Sequence, residues 1–149
     1  MLVLYDSLKI LHILSAACVL TSIVYSYNLW RTASTQTIIN RTERIQKQTA
    51  LVIIPFALLQ LATGFTMISV ERYNWHALWI EGSVASFITA ITSWFGFMYF
   101  LLLSQQATAS THSSGRPRRY RRRQRFMLSL CALGLLSMVF FMATKDGYT

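Results

Sequence analysis

Three ionisable side chains in or near long apolar stretches are the strongest candidates for chemistry in this chain: Lys9, His12 and Glu81. An ionisable group inside a membrane span is costly and is therefore a functional candidate by default. A neutral imidazole can ligate a haem iron or another metal. Lys9 precedes His12 by three residues, on one face of a helix, and could pair with Glu81. The sequence thus predicts a cofactor-binding group of His12, Lys9 and Glu81, with His12 as the ligand of a haem iron.

Two other interpretations of His12 stay open. A single histidine in a span often hydrogen-bonds a neighbouring helix, and charges near the end of a span can extend to the membrane surface unpaired. Met138 and Met142 lie one helical turn apart, and thioethers select Cu(I), so these side chains and His12 could form a copper site. The sequence matches no phosphate loop, Ser-His-Asp set or zinc motif. It therefore assigns no catalytic residue and leaves open whether the protein is an enzyme.

Four apolar stretches carry or flank these residues, at 2–30, 49–70, 77–105 and 126–144. Each supplies the roughly 20 residues needed to cross the core of a bilayer. Apolar residues make up 54% of the chain and charged residues only 13%, which argues against an ordinary soluble domain. Because unpaired backbone groups cannot face lipid, the sequence predicts an all-α integral membrane four-helix bundle that forms a single domain, 1–149.

The distribution of basic residues predicts the orientation of this bundle. The chain has a net charge of +9, and eleven of its fourteen Lys and Arg residues lie between the first and second or the third and fourth stretches. Short basic loops stay in the cytoplasm. Both termini should then lie outside, an N-out and C-out arrangement, in a multi-pass protein of the bacterial inner membrane.

The segment 107–125 is predicted to form a flexible basic cytoplasmic loop, because it begins with Ser, Thr and Ala and ends in an arginine run. Anionic headgroups attract such clusters at about 1 kcal/mol per basic residue. We expect the run to contact lipid headgroups and not nucleic acid. The arginines predicted to bind lipid are Arg118, Arg119, Arg121, Arg122 and Arg123.

Counting along the predicted helices places the candidate polar residues at one level. At 1.5 Å per residue, His12 lies roughly 10 Å and Glu81 roughly 6 to 8 Å below the outer surface. Thr63 and Gly64 on the second helix reach the same level, with Gln60 one turn deeper. No comparable polar layer is predicted for the inner half.

Spacing also predicts which parts of the helices approach each other. On the first helix, the face turned toward the bundle is predicted to consist of Lys9, His12, Ala16, Val19 and Ile23. Pro55 should kink the second helix, because it removes a backbone donor. Close approach of helices is predicted at the glycines, which are Gly64, Gly82, Gly96 and Gly134.

Several short motifs resemble a known family. They are Leu8-Lys9-Ile10-Leu11-His12-Ile13, then Pro55 with Gln60-Leu61-Ala62-Thr63-Gly64, then Trp79, and the ending Phe141-Met142-Ala143-Thr144-Lys145. Together they resemble a family of bacterial four-helix integral membrane proteins of unknown function. The opening motif also resembles, more distantly, HemJ-type protoporphyrinogen oxidases and CopD-type copper-resistance proteins. The HemJ-type resemblance implies a haem b role for His12 alone, since no second histidine lies at a matching depth.

Three functional hypotheses follow from the sequence. The first is a membrane protein that binds haem b or another redox cofactor through His12. The second is an accessory subunit of a larger, respiratory-type membrane complex, favoured by the small size and the lack of a catalytic set. The third is copper handling. Other membrane subunits or a second copy of the chain are the expected protein partners, in addition to the lipid bilayer.

Overall fold

The fold is all-α in this computed structural model, which describes residues 2–32, 38–111 and 118–144. Helix α1 spans Leu2–Arg31, and α2 spans Ile38–Gln48. A π-helical turn at Thr49–Ile53, here called the π turn, joins α2 directly to α3 at Ile54–Glu71. Helices α4 and α5 span Leu78–Thr111 and Arg118–Ala143.

Four helical segments in this part of the chain are long and apolar enough to cross a membrane: Tyr5–Arg31, Asn40–Glu71, Leu78–Ala107 and Tyr120–Ala143. The predicted class, an all-α protein with four membrane-spanning helices, is confirmed. The helices extend further into the basic connections than predicted, since α4 continues to Thr111 and α5 begins at Arg118. Arg, Gln and Ala are good helix formers, so much of the predicted loop 107–125 is helical.

The chain divides into two compact units, unit 1 at Met1–Asn74 and unit 2 at Trp75–Thr149. In unit 1, α1 runs antiparallel to the continuous segment formed by α2, the π turn and α3. The start of α1 contacts the second half of α3 through His12 and Thr63. At the other end, the Arg41 guanidinium donates to the Leu29 carbonyl at 3.4 Å and to Thr32 Oγ1 at 2.7 Å.

The buried face of α1 differs from the predicted one. Its buried residues follow a spacing of three and four and are Ser15, Val19, Ser22, Ser26 and Trp30. The predicted members Ala16 and Ile23 are only half-buried, and Lys9 is exposed. The predicted face is rotated around the helix relative to the buried one, because the prediction began the face at Lys9. Serine is small enough for close helix contact, and it therefore occupies the buried positions instead.

Pro55 explains the π turn. Proline has no N–H to donate, and its ring collides with the carbonyl of the residue four positions earlier in an α-helix. The helix widens just before Pro55, where the Ile54 N–H donates to the carbonyl of Thr49, five residues back. Where a kink was predicted at Pro55, the structure has one wide turn within an otherwise continuous span.

Unit 2 is an antiparallel pair of α4 and α5. A row of buried residues on α4 recurs every three or four positions: Ile80, Ser83, Phe87, Ala90, Trp94, Phe97, Leu101 and Ser104. Ser86 and Ser93 are buried beside this row. Gly134 of α5 lies against the backbone of Ser86 and Ala90. Near the other end of this pair, the fully buried Gln124 donates through Nε2 to the Phe100 carbonyl at 3.0 Å and to Ser104 Oγ at 3.1 Å.

The predicted close approaches at glycine are confirmed within each unit. A Cβ atom at Gly64 would lie 3.3 Å from His12 Cε1 in unit 1. In unit 2, a Cβ at Gly82 would lie 2.7 Å from the Phe141 ring. A Cβ at Gly96 would lie 3.0 Å from Met127 Sδ. These contacts fix how closely the helices of each pair can pack.

Candidate functional site

The His12 imidazole is the centre of the candidate site in unit 1. It is half-buried on α1, and its Nδ1 atom lies 2.9 Å from Thr63 Oγ1 on α3. Thr63 is 4% exposed, so this hydrogen bond is made inside the contact between the two helices. The predicted common level of His12, Thr63 and Gly64 is confirmed by this contact.

Thr63 sets the protonation pattern of the imidazole. Its hydroxyl has one hydrogen, and Oγ1 lies 2.8 Å from the Leu59 carbonyl and 3.1 Å from the Gln60 carbonyl. When the hydroxyl donates to one of these α3 carbonyls, its oxygen accepts from the His12 Nδ1–H, and we assign this arrangement. The neutral ring then has its lone pair on Nε2. This assignment follows from the hydrogen-bond network.

Gly64 provides the space that the imidazole occupies. A Cβ atom there would meet His12 Cε1 at 3.3 Å and Nδ1 at 3.8 Å. Thr63 and Gly64, which are adjacent on α3, therefore hold one edge of the imidazole.

Lys9 and Glu81, the other predicted members of the site, are both exposed. Among the described side chains of unit 1, no carboxylate forms a salt bridge with Lys9. In unit 2, Glu81 Oε1 lies 3.2 Å from His76 Nδ1, and the two side chains are 60% and 87% exposed. This neighbour of Glu81 was not predicted, because His76 lies outside the four apolar stretches. Pairing of Lys9 with Glu81 stays a prediction.

The predicted copper ligands are divided between the units. Met138 and Met142 lie on α5 of unit 2, the first buried and the second half-buried, whereas His12 belongs to unit 1. Within the ranges that the structure describes, no three His, Cys, Asp or Glu side chains are grouped so that they could hold a metal ion. A copper site of His12 with these methionines stays a prediction.

The expectation of no polar layer in the inner half was wrong. Buried polar residues also occur toward the basic connections, with Ser26, Thr42 and Thr49 in unit 1 and Ser104 and Gln124 in unit 2. The sequence signal was available, since these residues continue the three-and-four spacing of the buried faces. It was missed because hydroxyl and amide groups were given less weight than charges.

The arginine run lies at the start of α5. The side chains of Arg121, Arg122, Arg123 and Arg125 are exposed, and Arg123 packs over the Phe100 ring at 5.4 Å from its centroid. None of these four forms a salt bridge with a described carboxylate. The backbone of Arg118 and Arg119 belongs to the same helix, while their side chains lie outside the part that the structure describes.

Comparison with known proteins gives one family. A family described as "Predicted integral membrane protein (DUF2269)" matches residues 6–145, nearly the whole chain. No curated protein and no solved structure matches the chain.

Proposed function

The chain belongs to this family of predicted integral membrane proteins, and on that premise we propose that it binds haem b, or a related metal-containing cofactor, through Nε2 of His12. The hydrogen bond between His12 Nδ1 and Thr63 Oγ1 carries the proposal. Histidines that ligate a metal usually donate their other ring N–H to a neighbouring acceptor, which fixes the tautomer and the orientation of the ring. Thr63 is such an acceptor, and it leaves the Nε2 lone pair free to ligate.

The residues around His12 suit this role. Thr63 orients the ring, and Gly64 gives it room against α3. The exposed ammonium of Lys9 lies one turn from His12 and can neutralise a propionate or another acidic group of the cofactor. Haem would supply one-electron chemistry. His12 is the single histidine of unit 1 and would be the one imidazole that this unit offers to the haem iron.

The proposal includes the site's place in the membrane. The basic connections support an N-out, C-out orientation in a bacterial inner membrane, with His12 in the outer half of the bilayer. A redox group there would exchange electrons or protons near the outer surface. Fusing a periplasm-active reporter to the carboxyl terminus tests the orientation, and activity of a cytoplasmic reporter instead would contradict it.

Absorption spectroscopy tests cofactor binding. The protein is purified in mild detergent from haem-supplied cells, and spectra are taken before and after dithionite. We expect a Soret band for the wild type and for His76→Ala, and its loss in His12→Ala. The matched His76 variant removes an imidazole that lies in the turn before α4. A colourless wild type, or a band that persists in His12→Ala, would overturn the proposal.

A second proposal concerns the arginine run. The exposed side chains of Arg121, Arg122 and Arg125 have no described carboxylate partner, which favours binding of anionic lipid headgroups by α5. Binding of phosphatidylglycerol relative to phosphatidylcholine, measured by native mass spectrometry, should fall about fivefold for each of these arginines changed to Gln. Lys47→Gln is the control, because Lys47 pairs with Glu43 at 2.8 Å. An equal loss in the control would contradict the proposal.

A further inference from the structure

We propose that unit 1 holds a buried water molecule between Ser26 of α1 and Gln48 at the end of α2, beside the π turn. This site lies some 14 residues along α1 from His12, or about 21 Å at 1.5 Å per residue, and does not depend on cofactor binding. The water would accept from the Ser26 hydroxyl and donate to Gln48 Oε1.

Two buried polar atoms motivate the site. Ser26 is 0% exposed, and its Oγ has no hydrogen-bond partner among the described protein atoms. Gln48 Oε1 is equally inaccessible and equally unpartnered. A hydroxyl and an amide oxygen that are buried without partners each destabilise the folded state. The buried Ser15 hydroxyl, by contrast, donates to the His12 carbonyl at 2.8 Å.

The register of unit 1 brings these atoms to one level. His12 contacts Thr63, and α1 runs antiparallel to its partner helix. Each residue further along α1 therefore lies level with one residue further back along the partner. Advancing 14 residues along α1 reaches Ser26, and stepping back as far from Thr63 reaches Thr49, next to Gln48. Helix α1 packs against both α2 and the π turn in this region.

The π turn lies beside the proposed site. A π-helical turn is wider than an α-helical turn. The turn begins at Thr49, immediately after Gln48. The site therefore offers a water molecule two polar partners, Ser26 Oγ and Gln48 Oε1, and buried waters usually have two to four.

A double-mutant cycle tests the site. Ser26→Ala and Gln48→Met are made singly and together, and the unfolded-to-folded ratio is measured by reversible unfolding in detergent. If a water bridges the two side chains, each single substitution should raise that ratio about tenfold, because the other polar group loses its partner. The double variant should differ little from either single variant. The effects of the two substitutions on the free energy of unfolding would then be strongly non-additive.

Unit 2 offers a matched control. Ser83 Oγ and Trp94 Nε1 are also buried without hydrogen-bond partners, but they lie on one helix, 11 residues or about 16 Å apart. One water cannot bridge them, so the effects of Ser83→Ala and Trp94→Phe on the free energy of unfolding should be additive. Additive effects for Ser26→Ala and Gln48→Met, or single variants as stable as the wild type, would overturn the proposal.

A measurement on the wild type decides the question if a variant fails to fold. In a nitrogen-15-edited NOE spectrum of the protein in nanodiscs, the Ser26 amide proton should show a cross peak at the water frequency. Ser15 is the internal control, because its equally buried hydroxyl is bonded to the His12 carbonyl. A peak of equal intensity at Ser15, or none at Ser26, would contradict a bound water.

Discussion

Replacing Gly134 by alanine tests the helix approach that holds unit 2 together. A Cβ atom at this position would lie 2.9 Å from the Ser86 carbonyl oxygen, 3.0 Å from the Ala90 nitrogen and 3.2 Å from Ala90 Cα. All three are backbone atoms and cannot rotate away. Ordinary contact begins near 3.4 Å, so α4 and α5 would have to separate by about half an ångström.

The size of the effect follows from two opposing contributions. Overpacking of this kind costs about 1 to 3 kcal/mol. Alanine is about 1 kcal/mol more favourable than glycine inside a helix, which offsets part of that cost. We therefore expect Gly134→Ala to lower the free energy of unfolding by about 1 kcal/mol, and by about 2 kcal/mol if the helices cannot relax.

Gly96→Ala is the matched control on the partner helix. Its Cβ would meet Met127 Sδ at 3.0 Å, and a methionine side chain can shift at little cost. This variant should be as stable as the wild type or more stable by up to about 1 kcal/mol. Reversible unfolding in mixed detergent micelles measures both. If Gly134→Ala proves as stable as Gly96→Ala, the backbone contact does not limit the packing of unit 2.

Three further predictions concern unit 1. Gly64→Ala would place a Cβ 3.3 Å from His12 Cε1 and should lower haem affinity about tenfold in a spectrophotometric titration; unchanged affinity would show that the ring position is unimportant. Thr63→Val removes the acceptor of the His12 Nδ1–H, and we expect haem affinity to fall about tenfold while the protein still binds haem and is coloured. A colourless variant that unfolds like the wild type would contradict a purely orienting role of Thr63. Arg72 ends α3 with a φ of 55°, and Arg72→Gly should raise the free energy of unfolding by about 0.5 kcal/mol, because glycine adopts this left-handed conformation without strain; a decrease would count against strain at Arg72.

Much of the fold follows from the sequence, because lipid restricts the secondary structure that a membrane span can adopt. Long apolar stretches that must satisfy every backbone group can only be helices. Counting residues along antiparallel helices was enough to place Thr63 and Gly64 at the level of His12, which the contact at 2.9 Å between His12 Nδ1 and Thr63 Oγ1 confirms. Glycine positions were also informative, since a missing side chain leaves space for a neighbouring helix, which is occupied by backbone at Gly134 and by a side chain at the other three glycines.

Other features depend on choices that spacing leaves open. A three-and-four pattern on α1 fits two faces that share His12 and Val19, and only packing against α3 selects Ser15 and Ser22 over Ala16. Pro55 predicts a distortion but not its form, since a kink and a π turn both accommodate the missing N–H. The contact of Glu81 with His76 depends on the path of the turn before α4, which composition does not fix.

Chemical rescue tests the central claim most directly. His12→Gly removes the imidazole and leaves space beside Thr63, and free imidazole is then added to the purified variant during haem titration. We predict that the wild type shows a Soret band, that the variant lacks it, and that imidazole restores it. If the variant binds haem with the wild-type spectrum in the absence of imidazole, His12 is not the ligand.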